Sequence, residues 1–108
     1  MTTLQRAEKL LAEMSRSEKE TLFSRLAREL EADAHIVKTD GILGGNARID
    51  GTRIPIWLLV QYRRLGMSDI ELLQSYPTLK AEDLNYAWLY YHHNKQEIDQ
   101  QIEENETA

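Results

Sequence analysis

The chain has 108 residues, 42% hydrophobic and 29% charged, with no cysteine and a formal net charge of -5. That length holds one modest core, and the missing cysteines exclude disulfides and cysteine-based zinc sites, so cohesion must come from packing or from a second chain. No segment approaches the roughly 18 apolar residues of a membrane span, and the N-terminus lacks the apolar run of a secretory signal, which points to a cytoplasmic protein with no membrane partner.

Leu4, Ala7, Leu11 and Met14 recur at helical spacing, with Arg6, Glu8, Lys9 and Glu13 on the other faces. Ser15-Arg16-Ser17 interrupts this first helix, and Ser17 with Glu20 has the form of a capping box that opens a second. Leu22, Leu26 and Leu30, flanked by Phe23 and Ala27, are its apolar stripe. Neither helix is long enough to be stable alone, so residues 1–35 read as an antiparallel helical hairpin laid on the rest of the domain or on a second subunit.

From Ile36 the texture changes. Residues 36–54 hold four of the five glycines and two Asp-Gly pairs, the stronger being Asp50-Gly51, which predicts a tight turn between Arg48-Ile49 and Thr52-Arg53-Ile54. In this β-like arm Ile49 and Ile54 face the core and Arg48 and Arg53 point outward; Gly44-Gly45-Asn46 is a further turn. Pro55 suits the first position of a helix that runs to about Leu65 and stops at Gly66.

Residues 55–102 then read as helix, glycine turn, short helix, connector and longer helix. Ser68 and Glu71 form a capping box, and the short helix ends before Tyr76-Pro77. The longer helix begins near Ala81, with Leu84, Trp88 and Tyr91 on one side, Tyr86, Tyr90 and His93 opposite, and the stripe resuming at Ile98 and Ile102. Aromatic residues on both sides call for two neighbours. Residues 103–108 are a polar tail. This order is that of a mainly α, tri-helical helix-turn-helix domain preceded by an arm.

The run GGNARIDGTRIPIWLLVQYRRLGMSDIELLQSYPTLKAEDLNYAW resembles the domain-of-unknown-function family 433. Gly44, Gly45, Gly51, Thr52, Arg53, Ile54, Pro55, Gly66, Tyr76 and Pro77 carry the match, which covers Gly44 to about Tyr91. The resemblance implies a homeodomain-like helical fold and an antitoxin-like chain, of the kind often encoded beside a small PIN-like ribonuclease toxin. Ala47 stands where the family usually has proline, which loosens the arm, and Lys80 stands where it usually has Thr or Ser, which removes a side-chain cap. The N-terminal hairpin lies outside the match.

Charge is unevenly spread. Met1–His35 carries 6 basic and 7 acidic residues, Ile36–Gly66 carries 5 and 2, and Met67–Ala108 carries 2 and 9. For DNA, the helix after Lys80 would present Glu82, Asn85 and Tyr86, with Asn85 suited to adenine. Glu82 and Asp83 in its first turn oppose phosphate, and they are better read as complementing the helix dipole. Arg48, Arg53, Arg63 and Arg64 are the stronger nucleic-acid candidates, although Arg63 and Arg64 also suit the end of a helix and Arg53 suits a local role fixing the turn.

His92 and His93, adjacent on a helix, point about 100° apart and cannot chelate one metal as i, i+4 histidines do. His35 is isolated. Gly41, Gly44 and Gly45 lack phosphate-loop spacing, and there is no nucleophile–base pair. The sequence therefore points to a non-catalytic binding protein without cofactor or metal. The partner that the resemblance implies is a protein, a toxin-like ribonuclease, and homo-oligomerisation is expected; a DNA-binding regulator and a purely structural oligomer are the alternatives. Candidate binding residues are Arg48, Arg53, Arg63, Arg64, Asn85, Tyr86 and Tyr90.

Overall fold

The computed structural model describes residues 1–31 and 35–106. The fold is mainly α, with helices α1 (Thr3–Leu11), α2 (Arg16–Glu31), α3 (Ile56–Arg64), α4 (Asp69–Ser75), α5 (Ala81–His93) and α6 (Lys95–Glu106) and a two-stranded sheet of β1 (Ile36–Val37) and β2 (Arg48–Ile49). Among the described residues no helix is long and apolar enough to cross a membrane.

The two N-terminal helices form where their periodicity places them, but they pack unequally. Thr2 and Gln5 cap α1 reciprocally. The box that opens α2 is Ser15 with Glu18, not Ser17 with Glu20: the Ser15 N–H donates to Glu18 Oε1 at 3.0 Å and the Glu18 N–H to Ser15 Oγ at 3.1 Å. Both pairs have the same spacing, and the earlier one starts the helix sooner. It leaves the Ser17 carbonyl inside the helix, where it accepts from the Thr21 hydroxyl. α2 lies along α5, with Ala27 fully buried between them. α1 has no buried residue and makes no extensive contact with another element, so the expected packed hairpin is instead one docked helix and one that stands clear. Residues 32–34 of that unit lie outside the described residues.

The arm is tied at both ends. β1 and β2 pair antiparallel with Ile36 opposite Ile49, and the Asp50 N–H donates to the His35 carbonyl at 2.8 Å. Gly51 takes φ +77 in the tight turn, a conformation that a side chain disfavours. The Ile49 N–H then reaches the Ile54 carbonyl at 3.1 Å, closing the short loop, and Ile49 and Ile54 enter the core. Ala47 is fully buried, and its carbonyl accepts the Ile56 N–H at 2.9 Å, holding the start of α3. Pro55 sits at the N-cap, one position before the expected one, in extended backbone.

Gly66 ends α3 at φ +100 in a Schellman arrangement, with Met67 N–H on the Tyr62 carbonyl and Gly66 N–H on the Arg63 carbonyl, each at 3.0 Å. Ser68 and Glu71 cap α4 as expected. The Lys80 side chain has no acceptor to offer α5, but the Asp83 carboxylate takes the Lys80 N–H at 2.8 Å and supplies that half of the cap.

The long helix expected from Ala81 is two helices. Asn94 breaks it at φ -127, ψ 41, its side-chain amide donating to the Tyr90 carbonyl at 3.0 Å. α6 then packs against α3 and α5 and drives Ile98 and Ile102 into the core made by Ile49, Ile56, Leu59, Leu72 and Leu84. The tail expected at 103–108 is helical through Glu106, and its last two residues lie outside the described ones. Because Ile98 is wholly buried, Ile98→Ala is expected to lower stability in urea denaturation by about 3 kcal/mol. Leu65→Ala, at a side chain 74% exposed, should change it by less than about 0.5 kcal/mol.

Candidate interaction surface

The seven candidate side chains do not converge on one site. Arg48 and Arg53 sit on the arm. Thr52, not Arg53, fixes the turn: its hydroxyl donates to the Ile49 carbonyl at 2.8 Å and accepts the Ile54 N–H at 3.1 Å. Arg53 is exposed and makes no hydrogen bond or ion pair among the described residues, so the local role expected for it belongs to its neighbour. Arg48 is half-buried; Nη1 donates to Thr39 Oγ1 at 3.2 Å, while its buried Nε has no partner.

Arg64 and Tyr90 are taken up inside the molecule. Arg64 donates to Tyr91 Oη at 2.6 Å and pairs with Asp99, which also accepts from the Tyr91 hydroxyl at 2.7 Å. Tyr90 donates to Glu97 Oε2 at 2.8 Å, and Lys38, next to β1, holds Glu97 Oε1 at 2.9 Å. These two clamps join α5 to α6 and each draws in a cation from another element. Residues seven or eight apart lie about 10–12 Å apart along a continuous helix, so the Tyr90–Glu97 and Tyr91–Asp99 bonds exist because the chain turns at Asn94.

The clamps shift the groups that make them. Burial first, and then the bond to Glu97, push the Tyr90 hydroxyl up to about 12, against the opposing pull of Lys38. The hydrogen bond to Glu97 raises the Lys38 ammonium, and that to Tyr91 raises the Arg64 guanidinium. Burial raises Tyr91 as well.

Tyr86 is half-buried beneath His35, the rings stacked with centroids 4.2 Å apart and 11° between planes. His35 Nδ1 lies 3.6 Å from Asp83 Oδ1, beyond hydrogen-bonding distance. Together with Ala27, Leu30, Ile36, Leu89 and Tyr90 these rings border an apolar cleft of about 210 Å3 between α2 and α5. At its far end the His92 Nε2 is 3.1 Å from Ser24 Oγ and its ring meets Phe23 edge-on. α2 thus covers much of the side of α5 that carries Tyr86, Leu89 and His92. Asn85 remains exposed.

On the opposite corner Arg63 lies over the Trp88 ring at 4.5 Å, and the Trp88 indole N–H points to Asp69 Oδ2 at 3.4 Å. Leu65 and Ile70 are exposed on the neighbouring helix ends. Glu71, Glu82, Glu103, Glu104 and Glu106 are also exposed, giving the C-terminal half an acidic outer surface. Among the described residues no group of three or more His, Cys, Asp or Glu side chains is placed to hold a metal.

Sequence reasoning missed Lys38, Glu97 and Asp99 as partners of Arg64 and Tyr90. The available signal was the apolar gap from His92 to Glu97, six residues with no core position, which marks a break rather than one long helix.

The model of the family described as a protein of unknown function (DUF433) matches residues 36–91. The crystal structure of a DUF433 member protein from Anabaena variabilis ATCC 29413 is similar, with a TM-score of 0.63 and 39% identity, covering 94% of this chain and 98% of that one. So large a share extends beyond the family match into the N-terminal helices. No curated protein matches the chain.

The clamps give a pH dependence of known sign. Tyr90 is raised in the folded state, so its contribution is complete below its unfolded value of about 10 and is lost as pH climbs through the folded one. Lys38, also raised, acts in the same direction. Denaturation midpoints should fall between pH about 10 and about 12, and Tyr90→Phe should fall less steeply over that window. Equal slopes for the two proteins would contradict this.

Proposed function

Because the chain belongs to the DUF433 family, we propose that it is a non-catalytic protein-binding chain, an antitoxin-like partner of a PIN-like ribonuclease. The observation that supports this best is the acidic outer surface. Met67–Ala108 carries 9 acidic and 2 basic residues, and six of those acids, Asp69 among them, are exposed on α4, α5 and α6. Such a surface is complementary to the basic groove with which a ribonuclease holds RNA, and complementarity of this kind steers association and rejects other partners. The non-catalytic reading is supported by side-chain placement: His35 stacks on Tyr86, His92 packs on Phe23 beside Ser24, and the Tyr90 and Tyr91 hydroxyls are engaged in clamps.

A DNA-binding regulator draws less support. α3, α4 and α5 keep the order of a helix-turn-helix, but we read them as a scaffold. α2 lies on the face of α5 that would enter a groove, Tyr86 is under His35, and Glu82 stands exposed where phosphates would approach. Arg64 is spent on Asp99 and Arg63 on Trp88, which leaves Arg48 and Arg53 on the arm.

Co-expression of the full chain with a PIN-like ribonuclease encoded beside it tests the reading. The expected result is a stable complex, relief of toxicity, and affinity that falls with salt; Glu82→Lys with Glu103→Lys should weaken binding about tenfold or more. No complex and no relief, or binding indifferent to both salt and charge reversal, would sink it.

A further inference from the structure

Seven large hydrophobic side chains are exposed among the described residues, and five of them, Met1, Leu4, Leu10, Leu11 and Leu26, lie in the first 26 residues. Leu4 is 67% exposed although it shares a helical stripe with Ala7 and Leu11. α1 is nine residues long, well below the roughly 12–15 at which an isolated helix becomes stable in water. Its reciprocal Thr2–Gln5 cap and its amphipathic pattern are those of a helix meant to lie on something, yet none of its residues is buried against its own chain. Met14 and Leu22, both half-buried, continue the apolar surface from α1 toward Leu26 on the outer side of α2.

We propose that this α1–α2 surface is where a second copy of the chain docks. Charge selects the occupant. A two-fold contact sets the same patch against itself, so the patch must not repel its own image. From Met1 to Glu31 the chain carries six basic and six acidic residues, interspersed. That is compatible with a copy of itself. The acidic surface that follows Met67 would repel its copy. A basic protein gains little from a neutral patch, nucleic acid needs net positive charge, and a helix made to lie on anionic lipid is enriched in Lys and Arg, whereas α1 and its following turn balance Arg6 and Lys9 with Glu8 and Glu13.

The dimensions fit as well. Helices of nine and sixteen residues extend about 14 and 24 Å, so two copies of the pair can assemble a small four-helix contact. The inference stands apart from the ribonuclease reading, since it concerns the purified chain alone.

The test is the mass of the full chain in solution. At about 100 µM, light scattering should give twice 12.6 kDa. Leu4→Glu with Leu11→Glu should give a monomer that still melts cooperatively, at a midpoint that no longer depends on protein concentration, because α1 has no buried residue in its own chain. Ile70→Glu, at the other exposed apolar corner, should remain a dimer. Because the chain has no cysteine, single thiols introduced as Leu4→Cys, Ala7→Cys and Leu11→Cys provide a second measurement: oxidation should link copies through at least one of them. A monomeric wild type overturns the proposal. So does a dimer that survives the double change, one that Ile70→Glu dissociates, or one that no α1 thiol can cross-link.

Discussion

Ala87, in the middle of α5, is fully buried, and so are Leu84 and the aliphatic residues of α3 and α6 around it. The residues one step away point elsewhere: His92 to Phe23 and Ser24 of α2, Tyr86 to His35, Tyr90 and Tyr91 to α6. A helix with apolar or aromatic side chains on nearly its whole circumference cannot be left in water, because each exposed large side chain forfeits roughly 1.5–3 kcal/mol of burial. α5 must therefore be enclosed, and its neighbours follow from that need. α3, α4 and the arm make one wall, α6 returns to make the second, and α2 comes from the other end of the chain to make the third. Only a strip that includes Asn85 stays open.

The uneven charge of the sequence has a structural part and a remainder. Lys38 and Arg64, both from the basic middle, meet Glu97 and Asp99, both from the acidic end. Partly exposed pairs of this sort contribute little to stability, on the order of 0–1 kcal/mol each. Burial of Ile98 and Ile102 holds α6 in place, and the clamps decide at which register and angle it lies. What the clamps do not use is the outward set of glutamates. On α6 alone, Glu103, Glu104 and Glu106 are exposed while Glu97 and Asp99 turn inward, so one helix serves cohesion on one face and presents charge on the other.

Local chemistry was legible in the sequence to within a residue or two, and tertiary choice was not. The Ser68–Glu71 box, the Gly66 stop and the Gly51 turn each satisfy a requirement within a few residues of backbone, so their spacing alone identifies them. Ser15–Glu18 and Ser17–Glu20 meet the same local rule, and only the start of the helix decides between them. The pairing of Ile36 with Ile49 spans a loop that no short motif specifies. Asn94 is a further kind of failure: helical periodicity runs through it, because Ile98 and Ile102 continue the spacing, and only the apolar gap before them distinguishes two helices from one. The candidate site was legible in residue type more than in role. Tyr90 and Arg64 were read as binding residues; in the structure they join helices of the chain itself, and their partners come from elements whose proximity the sequence does not state.

That outcome bears on how a binding surface should be sought in a chain this small. Side chains chosen for charge or aromatic character are the ones a small core recruits to join its own elements, and four of the seven candidates, Arg63, Arg64, Tyr86 and Tyr90, were so recruited. What distinguishes an outward-acting surface is side chains that stay exposed together. Two such surfaces have a coherent character: the neutral apolar ridge of α1 and the acidic exterior of α4, α5 and α6. Their chemistries differ, so one partner is not expected to satisfy both. A self-contact through the first would leave the second facing outward twice over, doubling the acidic surface offered to a basic partner, and paired sites raise effective affinity without any new contact when the linkage lets both engage.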